Sequence, residues 1–164
     1  MVTQPKDLKT EWVLLSYRIP REPSTPRIAV WRKLKDLGVA QLGDGLVALP
    51  NNARTRESLE WVAAQVIDAD GTAMVWVATP ARRSDGTSIA DDLRAARSLE
   101  YAALVEEIAS EKADIGPRTI ARWRRQWRKI DRRDYLRSEG RDEAKQVIAN
   151  AALMSTQANV AVPR

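Results

Sequence analysis

The sequence predicts an α+β fold of the ferredoxin-like (split βαβ) kind, an antiparallel sheet with a C-terminal helical extension. Three observations carry that expectation. Strand-length apolar runs and helix-period segments follow the order β-α-β-β-α-β over about residues 11–80, proline or glycine punctuates the junctions, and from residue 88 the period is helical only. With 164 residues, 44% of them apolar, the chain is long enough for one packed core and short for two. The expected organisation is a βαββαβ core over 1–81 and a helical extension over 82–164.

Residues 12–17, Trp-Val-Leu-Leu-Ser-Tyr, form a mostly apolar run stopped by Pro20 and Pro23, which reads as a buried strand. Ser24 or Thr25 followed by Pro26 starts a helix, because proline fits a first turn where its missing N–H has no partner to lose. Val30, Leu34 and Leu37 then recur at helical spacing, and Gly38 closes the segment. Residues 39–42 and 46–49, separated by Gly43-Asp44-Gly45, read as a hairpin that Pro50 ends. Leu59, Val62, Ala63, Val66 and Ile67 mark a second helix ending near Asp70-Gly71, and Thr72 to Thr79 a fourth strand closed by Pro80. Two helices on one sheet face leave the other face to be covered by the C-terminal helices, a second subunit, or both, and a homodimer is expected on that ground.

Residues 88–112 read as a long helix with Leu93, Ala96, Leu104 and Ile108 on its apolar side. Asp114-Ile115-Gly116-Pro117 breaks it, and a basic helix is predicted over 118–137. Ala144, Val147, Ile148 and Ala151 mark a last helix, leading into a polar tail from Ser155 with the composition of a disordered end. The six tryptophans include Trp12, Trp31, Trp61 and Trp76, which the usual burial of such rings places in or near the core.

Composition narrows the chemistry. Cysteine and histidine are both absent, which removes disulfides, thiolate nucleophiles, most zinc sites and imidazole bases. No metal and no cofactor is expected, and any chemistry must rest on carboxylates, hydroxyls, lysine or arginine. No run approaches the roughly 20 apolar residues that span a bilayer, and the first residues lack the apolar core of a secretion signal. A soluble, cytoplasmic protein with no membrane partner is the expectation.

The net charge of +5 is concentrated. Between Arg118 and Arg133 stand eight basic residues and one acid, while Ile120, Trp123, Trp127 and Ile130 form an apolar seam at helical spacing. Arg118, Arg122, Arg125, Lys129 and Arg132 fall along one face, Arg124 and Arg128 on the opposite flank of the seam, and Arg133 completes the set. A helix packed on one side and cationic on the other suits phosphate, so these eight residues are the candidate contacts to duplex DNA. The competing reading is internal: Glu100, Glu106, Glu107 and Glu111 stand on the preceding helix and could neutralise the arginines in an antiparallel hairpin. No helix-turn-helix signature accompanies the stripe.

Taken together, residues 12–50 resemble the opening of the bacterial chromate-resistance protein B family. An apolar strand, a proline loop, an R-x-x-x-W-R-x-L-K/R-x-L-G helix and a hairpin ending in L-P recur there, carried here by Arg27, Trp31, Arg32, Leu34, Leu37, Gly38, Leu49 and Pro50. Residues 97–108 and 121–136 are similar to that family's paired helices, so the resemblance covers about residues 11–137. It implies a cytoplasmic regulator or accessory factor of chromate resistance rather than an enzyme. Its first module would be related in shape to phenylacetate-type repressor C-domains and to CRISPR-associated protein 2. Family members commonly continue into a second domain, which this chain is expected to lack.

Two other readings follow from the resemblance. Nucleases of this shape place an aspartate at the end of the first strand to share Mg²⁺, but the stretch here is Ser16-Tyr17-Arg18, and Asp44 fits the geometry of a hairpin turn. Chromate and sulfate are tetrahedral dianions that arginines bind well, and Arg18, Arg21 and Arg27 surround the proline loop as a candidate oxyanion site.

Overall fold

The computed structural model describes residues 11–111 and 115–160, the last three by backbone alone. The chain divides into two compact units, residues 1–91 and 92–164, with the division inside a helix.

The first unit holds β1 (Trp12–Arg18), α1 (Ser24–Leu37), β2 (Ala40–Gly43), β3 (Leu46–Pro50), α2 (Ala53–Asp68) and β4 (Thr72–Ala78). The sheet is antiparallel throughout, in the order β2-β3-β1-β4, which is the ferredoxin-like arrangement. Alternation fixes its faces. Val13 lies opposite Leu49 and Val77, and Leu15 opposite Val47 and Val75. Val13, Leu15, Val47 and Leu49 are fully buried together with Leu59, Val62 and Val66 of α2, while Val30 and Leu34 of α1 are nearly so.

On the other face Trp12 is 1% exposed, because the chain after β4 returns over it: a Cβ at Gly86 would sit 3.6 Å from Pro80 and 3.7 Å from Trp12 Nε1. Met74 and Trp76, on the same face, stay half-exposed, and Trp76 Nε1 donates to Ser16 Oγ at 3.0 Å.

Of the four tryptophans expected in or near the core, Trp12 is buried, whereas Trp31, Trp61 and Trp76 are 56%, 65% and 50% exposed. The helical period explains two of these. Trp31 follows buried Val30 and Trp61 precedes buried Val62, so each is turned about 100° off the apolar stripe.

The helix α2 begins at Ala53, earlier than its apolar period, because Asn52 and Thr55 form a capping box. Buried Thr55 also donates through Oγ1 to the Pro50 carbonyl at 2.6 Å. Between β2 and β3, Gly45 takes φ +69°, and its carbonyl accepts the Tyr17 N–H at 2.7 Å. A Cβ there would lie 2.2 Å from Tyr17 O, so only glycine lets the hairpin close against the end of β1.

The helix α3 (Arg83–Ser110) crosses the division, and its second part packs in the second unit with α4 (Pro117–Asp131) and α5 (Arg141–Val160). Tyr101, Leu104, Ile108, Ile120, Trp123, Ile130, Ala144, Ile148 and Ala151 form that core.

Two expectations are corrected here. The basic helix ends at Asp131, not 137, and Arg132 and Arg133 lie in the turn beyond it. Asp134 is the cause: its carboxylate accepts the Ser138 N–H at 3.0 Å and Ser138 Oγ at 2.7 Å, drawing the chain into a loop with Arg137 at φ +54° and Gly140 at φ +81°. The residues from Ser155 continue α5 instead of leaving it, and Ser155 Oγ donates to the Ile115 carbonyl; residues 161–164 lie outside the described residues.

Candidate functional site

Two clusters of cations stand out, one in each unit. In the second unit, α4 presents Ile120, Trp123 and Ile130 to the core and turns its other side outward. The sequence's two readings of its arginines divide between residues. Arg122 Nη2 meets Glu107 Oε1 at 3.2 Å and Glu111 Oε2 at 3.4 Å, and Arg133 pairs with Glu100 while its Nε donates to the Lys129 carbonyl at 3.1 Å. Those two cations are neutralised by α3, and Arg133 is turned inward.

Arg118, Arg124, Arg125, Arg128 and Lys129 are exposed and make no ion pair among the described residues. Arg132 is exposed in the following turn. Arg118, Arg125, Arg128 and Lys129 sit within one broad stripe directly opposite Trp123, about 16 Å long at 1.5 Å per residue.

What holds this stripe outward is a polar scaffold that charge counting does not reveal. Glu107 accepts Trp123 Nε1 at 3.1 Å and Gln126 Nε2 at 3.0 Å as well as Arg122. Trp127 donates to the Arg141 carbonyl at 3.1 Å, with Arg141 and Lys145 standing 5.3 Å and 5.5 Å from its ring centroid. Arg141 Nε donates to Asp131 at 2.7 Å, a bond that leads the causes holding Arg141 above its ordinary value. Arg97 was not among the sequence candidates. It pairs with Glu100 at 3.0 Å, leaves its Nε and Nη1 without a hydrogen-bond partner, and is pushed below its ordinary value chiefly by burial.

In the first unit a cleft of about 610 Å³ gathers Arg18 from the end of β1, Arg21 from the loop and Arg27 from α1. All three are exposed, and none makes an ion pair among the described residues. The sequence grouped these arginines because the proline loop keeps them within ten positions. It did not foresee the rest of the lining: Tyr17, Ile19, Ile28, Trp31, Asp44 and Gly45. Gly45 clamps the hairpin to Tyr17, and Asp44, the residue assigned to turn geometry, lines the cleft together with the three arginines. Burial raises the Tyr17 phenol above its ordinary value. Among the described residues, no group of three or more carboxylates could hold a metal ion, and no helix is long and apolar enough to cross a membrane.

Comparison with known proteins adds a family to this geometry. The family model described as protein ChrB, N-terminal, matches residues 27–119. Protein ChrB of Cupriavidus metallidurans CH34 is 30% identical over 118 residues, which cover 68% of this chain and 34% of that protein. The chain therefore spans about a third of the length of that curated relative. No solved structure matches.

Proposed function

Since the chain belongs to the ChrB N-terminal family, we propose that it is a non-enzymatic regulatory protein of chromate resistance that holds duplex DNA on the outward stripe of α4. One observation carries the reading. Where the acidic face of α3 could have neutralised the whole helix, it engages Arg122 and Arg133, while Arg118, Arg124, Arg125, Arg128 and Lys129 point outward with no ion pair among the described residues. Five cations on one rigid helix neutralise phosphates and release their counterions, giving a log–log salt slope of about −4 to −5 at roughly 0.9 per contact. Contacts of this kind position a protein on the duplex, and base readout requires one or two arginines to reach guanine edges.

The test is fluorescence anisotropy with labelled duplex across a salt series. Charge reversal of Arg125, Arg128 and Lys129 to glutamate is expected to abolish retention and flatten the slope. Arg122→Ala, which removes a cation already engaged by Glu107 and Glu111, leaves the affinity within about twofold. Equal losses from both variants, or binding that ignores salt, would remove the stripe from the mechanism.

A further inference from the structure

The cleft of the first unit carries an inference that stands apart from the DNA reading and concerns different residues. We infer that it binds an organic phosphate bearing a planar ring, of the size of a nucleoside monophosphate. The phosphate would lie among Arg18, Arg21 and Arg27, the ring against Trp31, and a hydroxyl or amino group of the ligand would donate to Asp44.

Size comes first. A volume of about 610 Å³ falls in the range of roughly 300–1,000 Å³ usual for organic ligands. A bare tetrahedral oxyanion fills a small corner of it.

The lining comes second. Ile19, Ile28, Tyr17 and Trp31 make a wall that an inorganic dianion has no use for, and Ile28 and Trp31 hold 42% and 56% of their surface open. Indole presents a flat face on which a base can stack, and Lys35 Nζ stands 4.9 Å from the Trp31 centroid, outside the cleft lining.

Asp44 decides between ligands. A carboxylate in the lining repels a plain oxyanion, but it accepts a hydrogen bond from a ribose hydroxyl or an exocyclic amine. Three arginines from three separate segments still leave net positive charge for a phosphate dianion, which arginine forks match in geometry. Tyr17, also in the lining, carries a hydroxyl able to donate one more hydrogen bond.

The experiment is isothermal titration of the full chain with adenosine and guanosine monophosphates, and separately with inorganic phosphate, sulfate and chromate. Saturable nucleotide binding at least about tenfold tighter than any inorganic anion is expected. Arg27→Ala should weaken nucleotide by about tenfold, the loss of one charged phosphate contact. Trp31→Ala is exposed and harmless to the core; it should weaken nucleotide by about fivefold or more while leaving inorganic phosphate unchanged. Retained nucleotide binding in the Arg125, Arg128 and Lys129 glutamate variant separates the cleft from α4, so this inference and the DNA reading fail independently. Absence of nucleotide binding, loss of it in that α4 variant, or sulfate and chromate binding as tightly as nucleotide with no dependence on Trp31, would overturn the assignment.

Discussion

Tyr101 shows how one side chain couples a hydrophobic core to a loop. Its ring is fully buried in the second unit, and its hydroxyl donates to Asp134 at 3.3 Å, the same carboxylate that fixes Ser138. Burial first, and the negative charge of Asp134 second, push its phenol above the ordinary value of 10.0. Raised in the folded state, this group contributes stability that is fully present below pH 10 and is lost as pH climbs toward the folded value. Thermal melts between pH 9 and 11, a window set around roughly pH 10, should therefore show the wild-type chain losing stability with rising pH. Tyr101→Phe should start about 1 kcal/mol less stable for want of the hydrogen bond, and show a shallower alkaline decline. Parallel melting curves for the two proteins would mean that Tyr101 ionisation is not what limits the fold in base.

At the scale of elements, the α3–α4 contact is a device for aiming charge. Glu107 takes the indole N–H of fully buried Trp123, the Gln126 amide and the Arg122 guanidinium, so one carboxylate sets the rotation of α4 about its axis. Glu107→Ala strands a buried N–H and should cost about 1–3 kcal/mol in urea denaturation. Because it also removes one of the two carboxylates that engage Arg122, leaving Glu111, it should steepen the DNA salt slope by less than about 0.9, the increment for one full added phosphate contact. Weaker binding with an unchanged slope would show instead that Glu107 serves the interface itself.

The elements themselves were legible because periods of 2 and 3.6 are written in single residues: Val13 and Leu15 alternate to one face, and Ile120, Trp123 and Ile130 trace one seam. Less was legible where structure depends on polar side chains rather than on period. Residues 53–58 carry no apolar signal, and α2 owes its first turns to Asn52 and Thr55. The basic helix stops at Asp131 because of a bond between Asp134 and Ser138 that no charge count contains. In the same way the arginines of the cleft were grouped by sequence proximity, but Asp44 and Trp31 join them only through the register of the sheet and the closure at Gly45.

For the whole molecule, the distribution of charge and apolar surface separates two roles. Residues 92–164 carry 15 basic and 11 acidic side chains, while residues 1–91 are nearly balanced at 12 and 11, so the excess positive charge lies in the second unit. The first unit has the opposite asset. β4 is an edge strand with neither lysine nor proline to blunt it, and it exposes Met74 and Trp76 on one face and Val77 on the other at 54%, 50% and 50%. An open apolar edge of this kind suits an isologous pairing with a second copy, which doubles the number of α4 stripes in one particle. Sedimentation velocity over a concentration series should then show a dimer, and Trp76→Glu, which places a charge on the edge and removes the donor to Ser16, should shift it to monomer. Far-UV circular dichroism of the variant should match wild type, since the ring is half-exposed and outside the core. Its DNA salt slope should be the one-stripe value of about −4 to −5, against up to about twice that for a pair that brings two stripes to the duplex. A wild-type chain that sediments as a monomer at every concentration would remove the β4 edge from the assembly and leave DNA binding to single copies.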